Sequence, residues 1–256
     1  RQMCIRDSIY ALKSGYRLLD SAEYYNNEAE VGEAVRKSGI PRDQIFVVSK
    51  LFTTAGGKEA AKKVIDNSLK LMNIGYIDQY LLHCPQGGHV LMCYDLLLDY
   101  QRKGLIKTVG VSNFGVRHLE AIKKTGRPLP QVNQIELHPW CTNEPIVNWC
   151  RENNVHVMGY MPLANGTRLR DPFVIELSKK YNKTPAQILI RYAIEKKFIT
   201  IPKSSKPERI DENANVFDFS LDLADIEKFD SFGREKKCNV DWDPTNNGPS
   251  AFGPFE

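Results

Sequence analysis

Long apolar runs are missing from this 256-residue chain. Runs such as Leu96–Leu98 and Ile188–Ile190 fall far short of the roughly 20 residues that span a bilayer. Also missing are a CxxC pair and any regular cysteine spacing. Cys4, Cys84, Cys93, Cys141, Cys150 and Cys238 therefore read as thiols, neither a disulfide framework nor a metal site. Charge of one sign is scarce: the net charge is +4, and Lys and Arg are spread along the chain. That argues against nucleic acid or a polybasic membrane contact, and leaves room for a local basic pocket for one phosphorylated ligand. The start carries no apolar signal-like stretch, since Arg1, Arg6 and Asp7 interrupt it. A cytoplasmic location is expected, and the Asn-x-Thr matches at Asn165 and Asn182 then carry no meaning for glycosylation. Linkers and low-complexity blocks are absent as well.

What is present is an alternation. Short β-rich segments (Tyr16–Leu19, Ile45–Ser49, Asp78–Leu82, Thr108–Val111, Val132–Glu136, His156–Tyr160, Phe198–Ile201) are separated by helical patterns (Glu28–Lys37, Lys58–Met72, Leu91–Lys103, Val116–Lys124, Glu144–Glu152, Pro185–Lys196). Several of the short segments are almost continuously apolar, as parallel strands covered on both faces are. In Lys58–Met72, Ala61, Val64, Ile65, Leu69 and Met72 recur at helical steps, with Lys and Asp opposite. Pro207 opens a further helix over Pro207–Asn213, and Thr184-Pro185 is an N-cap signal. Unbroken βα units argue for one domain over 1–256, either an open doubly wound sheet or a (β/α) barrel.

An open dinucleotide-binding sheet would carry GxGxxG after its first strand, and neither Gly56-Gly57 nor Gly87-Gly88 has that spacing. A barrel places its chemistry at the C-terminal ends of many strands. Asp20, Lys50, His83, Ser112-Asn113, Gln134–Glu136, Tyr160 and Lys203 each close an apolar segment, which favours an α/β (β/α)8 barrel of the TIM type. Only seven strands can be counted, so the barrel is expected to lack its first strand. The polar opening 1–8 is expected to be disordered or not native to the fold.

At Asp20-Ser21-Ala22-Glu23-Tyr24-Tyr25-Asn26-Asn27-Glu28 the sequence resembles the aldo-keto reductases. The match stays in register through Val48–Leu51, Asp78–His83, Gly110–Phe114, Asn133–Glu136 and Ile201–Ser204, covering about Gly15 to Leu223. The resemblance implies a catalytic set of Asp20, Tyr25, Lys50 and His83 and an NADPH-dependent reduction of an aldehyde or ketone, with the proton from Tyr25. The chemistry is sensible on its own terms. A free tyrosine has a pKa of about 10, too high for easy donation near neutrality. An adjacent ammonium stabilises the phenolate that donation leaves behind. Asp20 would hold Lys50, and His83 could hydrogen-bond the substrate oxygen. His138, beside Pro139, has no partner legible in the sequence and is assigned a structural role.

The same resemblance puts Ser112, Asn113 and Gln134 on the nicotinamide carboxamide and stacks Tyr160 on its ring. It puts Lys203, Ser204 and Arg209 on the 2′-phosphate, with Glu212 and Asn213 near the adenine. A lysine, a hydroxyl and an arginine at the entry of a Pro-led helix suit a phosphate and favour NADP(H) over NAD(H). The expected partner is a small-molecule carbonyl compound, with no nucleic acid or membrane, and the chain is expected to act as a monomer. The alternatives are a non-catalytic NADPH-binding barrel and an inactive fragment.

There are departures from the family pattern. Cys84 follows His83 where a Trp is usual, which implies a roomier, less aromatic pocket; nothing nearby in sequence activates its thiol. Met161 replaces a serine after Tyr160. The loop Ala164–Arg170 is short, so weaker cofactor enclosure and faster exchange are expected. The tail 232–256 is expected to form a substrate loop, with Trp242 in the pocket.

Overall fold

The computed structural model describes residues 2–233, with side chains from Ile5 onward. These residues group into two compact units, one ending at Asn133 and one beginning at Gln134. The boundary falls inside a strand and not in a linker.

The first unit opens on helix α1 (Gln2–Lys13), which takes in most of the stretch 1–8 expected to be disordered or not native to the fold. Ile5, Ile9 and Leu12 give it an apolar stripe, Leu12 is fully buried, and α1 packs on the next helix, α2 (Glu28–Lys37). The Arg17 guanidinium donates to the Leu12 and Tyr16 carbonyls and ties down the end of α1. Among the described residues no strand precedes β1 (Leu18–Asp20). Then come β2 (Phe46–Leu51), α3 (Gly57–Met72), β3 (Ile77–Leu82), α4 (Val90–Arg102), β4 (Ile106–Ser112) and α5 (Val116–Lys124). β1 to β4 pair in chain order and in parallel, with Asp20 opposite Val48, Lys50 opposite Leu81, and Leu81 opposite Gly110. Every residue of β3 is buried, as a parallel strand covered on both faces requires. On α3 the buried positions are Ala61, Ile65, Ser68 and Met72, the stripe expected from the sequence.

Two details fix the packing of this unit. Gly32 lies where α2 crosses the end of α3, and a Cβ there would land on the Met72 carbonyl. Arg36 of α2 donates to that same carbonyl and to Asn73, so the glycine permits the approach and the arginine caps it. Asp78, at the start of β3, accepts from Arg42 (2.6 Å) and from the Val47 amide (2.8 Å). Arg42 also reaches the Ile45 and Tyr76 carbonyls, joining the loop before β2 to β3.

The second unit contains most of β5 (Val132–Glu136), then α6 (Glu144–Glu152), β6 (His156–Tyr160), α7 (Pro172–Tyr181), α8 (Pro185–Glu195), β7 (Ile199–Thr200), α9 (Pro207–Ala214) and α10 (Leu223–Phe232). Its core joins Val174 and Leu177 of α7, Ile188, Leu189 and Tyr192 of α8, Leu221, and Phe229 of α10. Thr184 and Gln187 form a reciprocal cap at the start of α8, as the Thr-Pro signal implied. Helices α7 and α10 were not read from the sequence, although Asp171 caps α7 through the Phe173 amide with Pro172 at its first position. No helix among the described residues is long and apolar enough to cross a membrane.

Candidate active site

In the first unit, Asp20 closes β1, Tyr25 closes a 3₁₀ turn (Glu23–Tyr25), Lys50 lies near the end of β2, and His83 follows β3. Parallel pairing puts all four at the same edge of the sheet, at the C-terminal ends of three adjacent strands.

Lys50 has no exposed surface. Burying an ammonium is costly unless its donors are satisfied. Here Nζ donates to Asp20 Oδ2 at 2.6 Å and to the Ser21 carbonyl at 2.8 Å. Its third, longer contact is with the Tyr25 hydroxyl at 3.5 Å, with the ammonium 4.8 Å from the Tyr25 ring centroid. Tyr25 itself is 44% exposed, so its hydroxyl joins a buried charge to solvent-accessible space.

His83 completes the group. Its ring meets Tyr25 edge-on at 5.7 Å. Burial, reinforced by the positive charge of Lys50, lowers the imidazole pKa to about 3, so it is neutral across the physiological range. Nδ1 is buried with no hydrogen-bond partner among the described residues. The main chain holds the residue in place: the amide donates to Leu51 at 2.8 Å, and the carbonyl accepts from Asn113 Nδ2 at 3.0 Å.

Two features here were not read from the sequence. Phe52 packs edge-on against His83 at 5.6 Å and stacks on Tyr24 at 4.4 Å, an aromatic wall beside this cluster. Its only sequence signal is an aromatic two places after Lys50. The second is Glu28, buried behind β2, where its carboxylate accepts from Ser49. Burial raises its pKa, partly offset by hydrogen bonds from Ser49 and Ser68. Since side chains alternate along a strand, Ser49 takes this network to the face opposite Lys50.

A lysine held between a carboxylate and a phenol, with a neutral imidazole beside the phenol, is an arrangement for proton donation to a carbonyl oxygen. The Aldo/keto reductase family model matches residues 4–234. The chain belongs to the aldo/keto reductase family. A curated relative, the glyoxal reductase of Bacillus subtilis, is 34% identical, covering 89% of this chain and 82% of its own length. A solved aldo-keto reductase from a deep-sea metagenome library of the Medee basin superposes with a TM-score of 0.88 at 37% identity, covering 94% of this chain and 91% of its own. A Bombyx mori aldo-keto reductase solved in complex with NADP gives 0.87 at 29%, covering 95% and 88%. The aldo/keto reductase assignment makes the chain an oxidoreductase with the (β/α)8-barrel fold expected from its strand ends, and β1 as the first of seven described strands agrees with a barrel lacking its first.

The remaining reductase-type residues lie as follows. In the first unit, Ser112 and Asn113 end β4, both buried. Asn113 is in the left-handed backbone region (φ 62°), which asparagine tolerates better than most residues, and its amide also bonds Ser112 Oγ at 3.2 Å. Cys84 is buried, its thiol donates to the Phe52 carbonyl at 3.2 Å, and burial pushes its pKa up to about 12, which leaves it unreactive.

In the second unit, Gln134 is buried, with Nε2 2.8 Å from Met158 Sδ, and Tyr160 ends β6 half-buried. The backbone after Tyr160 is left-handed at Met161, Ala164 and Asn165, an unusual density of such residues for a short loop. Lys203 and Arg209 are exposed and form no ion pair among the described residues. Ser204 Oγ accepts from the Lys206 amide at 3.1 Å, just before α9. Glu212 is held by the fold: its carboxylate accepts from Thr184 Oγ1 and its carbonyl from Gln187. Asn213 is buried. Trp242 and the tail beyond Gly233 lie outside the described residues.

Proposed function

We propose that the chain catalyses the NADPH-dependent reduction of a small aldehyde or ketone to the alcohol, with Tyr25 as proton donor. The observation that carries this reading is the buried Lys50 ammonium, with two contacts committed to Asp20 and Ser21 and its third reaching the Tyr25 hydroxyl. Asp20 holds Lys50 in place. Lys50 stabilises the phenolate left when Tyr25 passes its proton to the carbonyl oxygen. Neutral His83 adds a hydrogen bond to that oxygen without adding a second positive charge beside Lys50. Phe52 and Tyr24 offer an apolar face to the substrate.

The cofactor fits the residues present. Lys203 and Arg209, which form no ion pair among the described residues, supply with Ser204 at the entry of α9 the charge and the donors that a 2′-phosphate requires. In the first unit Ser112 and Asn113 supply buried donors and acceptors of the kind a carboxamide needs; in the second, Gln134 supplies others and Tyr160 a ring to stack. NADPH, when bound, would supply the hydride. The neighbour solved with NADP supports this reading. Small-molecule substrates and action as a monomer in the cytoplasm belong to the same proposal.

Tyr25→Phe tests it. NADPH oxidation with an aromatic aldehyde should fall by at least about 100-fold, as loss of a general acid does. NADPH binding, followed by nucleotide fluorescence, should be unchanged. Turnover that survives the substitution overturns the assignment of the donor.

A further inference from the structure

His138 has no partner legible in the sequence, but the structure gives it two. We propose that Glu136, His138 and Cys141, in the second unit, form a binding site for one zinc-class divalent cation. One ligand atom from each residue lies within 4.8 Å of the others: a carboxylate oxygen, an imidazole nitrogen and a sulfur. All three residues are buried, at 2%, 3% and 0% exposure. His138 Nε2 is 2.9 Å from Glu136 Oε1.

The backbone is built to present them together. Glu136 ends β5. The turn that follows is closed by two reciprocal hydrogen bonds, from the His138 amide to the Cys141 carbonyl (3.2 Å) and from the Cys141 amide to the His138 carbonyl (2.8 Å). Residues three apart thus leave the same stiff turn, with Pro139 inside it. Asn143, held in the left-handed region (φ 44°), locks the group from outside. Its Nδ2 donates to the Glu136 carbonyl at 2.9 Å and to Cys141 Sγ at 3.4 Å. A donor aimed at sulfur favours the thiolate, the form that binds metal.

Charge and space point to the same class of ion. A thiolate, a carboxylate and a neutral imidazole sum to −2, so a divalent cation makes a buried centre neutral. Calcium and magnesium take oxygen ligands, whereas a mixed sulfur, nitrogen and oxygen set suits zinc. Zinc–ligand bonds of about 2.0–2.3 Å put tetrahedral ligands about 3.3–3.8 Å apart, so the Glu136–His138 pair must open slightly and the widest edge close by about 1 Å. Side-chain rotation covers both. His138 also lines a cavity of about 70 Å³ with Leu137, Thr142 and Glu144. That is room for a water as fourth ligand.

The test uses the full chain, with thiols reduced, titrated with cobalt(II) and then zinc. One equivalent of cobalt should give a thiolate charge-transfer band and strong tetrahedral ligand-field bands, and zinc should abolish both. Cys141→Ser should lose the charge-transfer band, while Cys84→Ser and Cys93→Ser keep it. Asn143→Ala, which leaves all three ligands in place, should weaken zinc about tenfold to a hundredfold. Far-ultraviolet circular dichroism checks that each variant is folded. The proposal is overturned if the unmodified chain gives no band, if the band survives Cys141→Ser, or if Asn143→Ala leaves both spectrum and affinity unchanged.

Discussion

Lys50 and His83 show how burial sets the chemistry of a residue once its partners are counted. Lys50 is fully buried, and Asp20 and the Ser21 carbonyl occupy two of its donors. His83 is buried beside that charge with no acid of its own, and so stays neutral down to about pH 3. The unfolded chain takes up a proton at His83 as pH falls through about 6.5, and the folded chain does not. This contribution to stability is therefore present above about pH 6.5 and is lost as pH falls toward 3, at about 1.4 kcal/mol per pH unit. Glu28 has the opposite sign. Its pKa is raised by burial, so it contributes below the unfolded carboxylate range and loses that contribution as pH rises through its folded value. Urea melts at a series of pH values should show His83→Gln flattening the acid-side loss, and Glu28→Gln flattening the loss on the other side. Unaltered slopes would contradict these environments.

At the scale of elements, the contact between α2 and α3 rests on one missing side chain. Gly32→Ala gains about 1 kcal/mol of helix propensity. It also drives a methyl group into the Met72 carbonyl, and overpacking of this kind costs about 1–3 kcal/mol. Net destabilisation is expected, seen as a lower urea midpoint with an unchanged slope. The loop after β6 makes a different prediction. It is short, and three of its non-glycine residues are left-handed. If it encloses cofactor poorly, stopped-flow release of NADPH should be fast relative to turnover; release that limits turnover would show the enclosure to be tight. Much at this scale was legible in advance. All seven strands were expected within a few residues of where they lie, because parallel strands buried on both faces write themselves as apolar runs. Helices α7 and α10 were not expected, since their aromatic residues pack on each other and on Tyr192 of α8 and leave a weaker stripe along each helix.

For the molecule as a whole, ligand binding and folding are linked. A ligand at 100 times its dissociation constant stabilises the state that binds it by about 2.7 kcal/mol. NADP⁺ should raise the melting temperature clearly, and NAD⁺ at equal concentration much less. Lys203→Ala with Arg209→Ala should erase the difference while leaving the free protein's melting temperature unchanged, because neither cation forms an ion pair among the described residues. Equal shifts with both nucleotides would remove the 2′-phosphate from the reading.

The sequence by itself determined the order of strands, the family, and the four residues, Asp20, Tyr25, Lys50 and His83, proposed for proton transfer. Periodicity and motif spacing are local properties, and the polar residues stand out where apolar strands end. Only the tertiary structure decided what those residues are. That Lys50 spends its contacts on Asp20, Ser21 and Tyr25, that His83 is neutral, and that Phe52 stacks on Tyr24 all depend on strands brought together from distant parts of the chain. The same holds for Glu136, His138 and Cys141. Their spacing carries no recognisable signal, and burial around one closed turn brings three ligand types together.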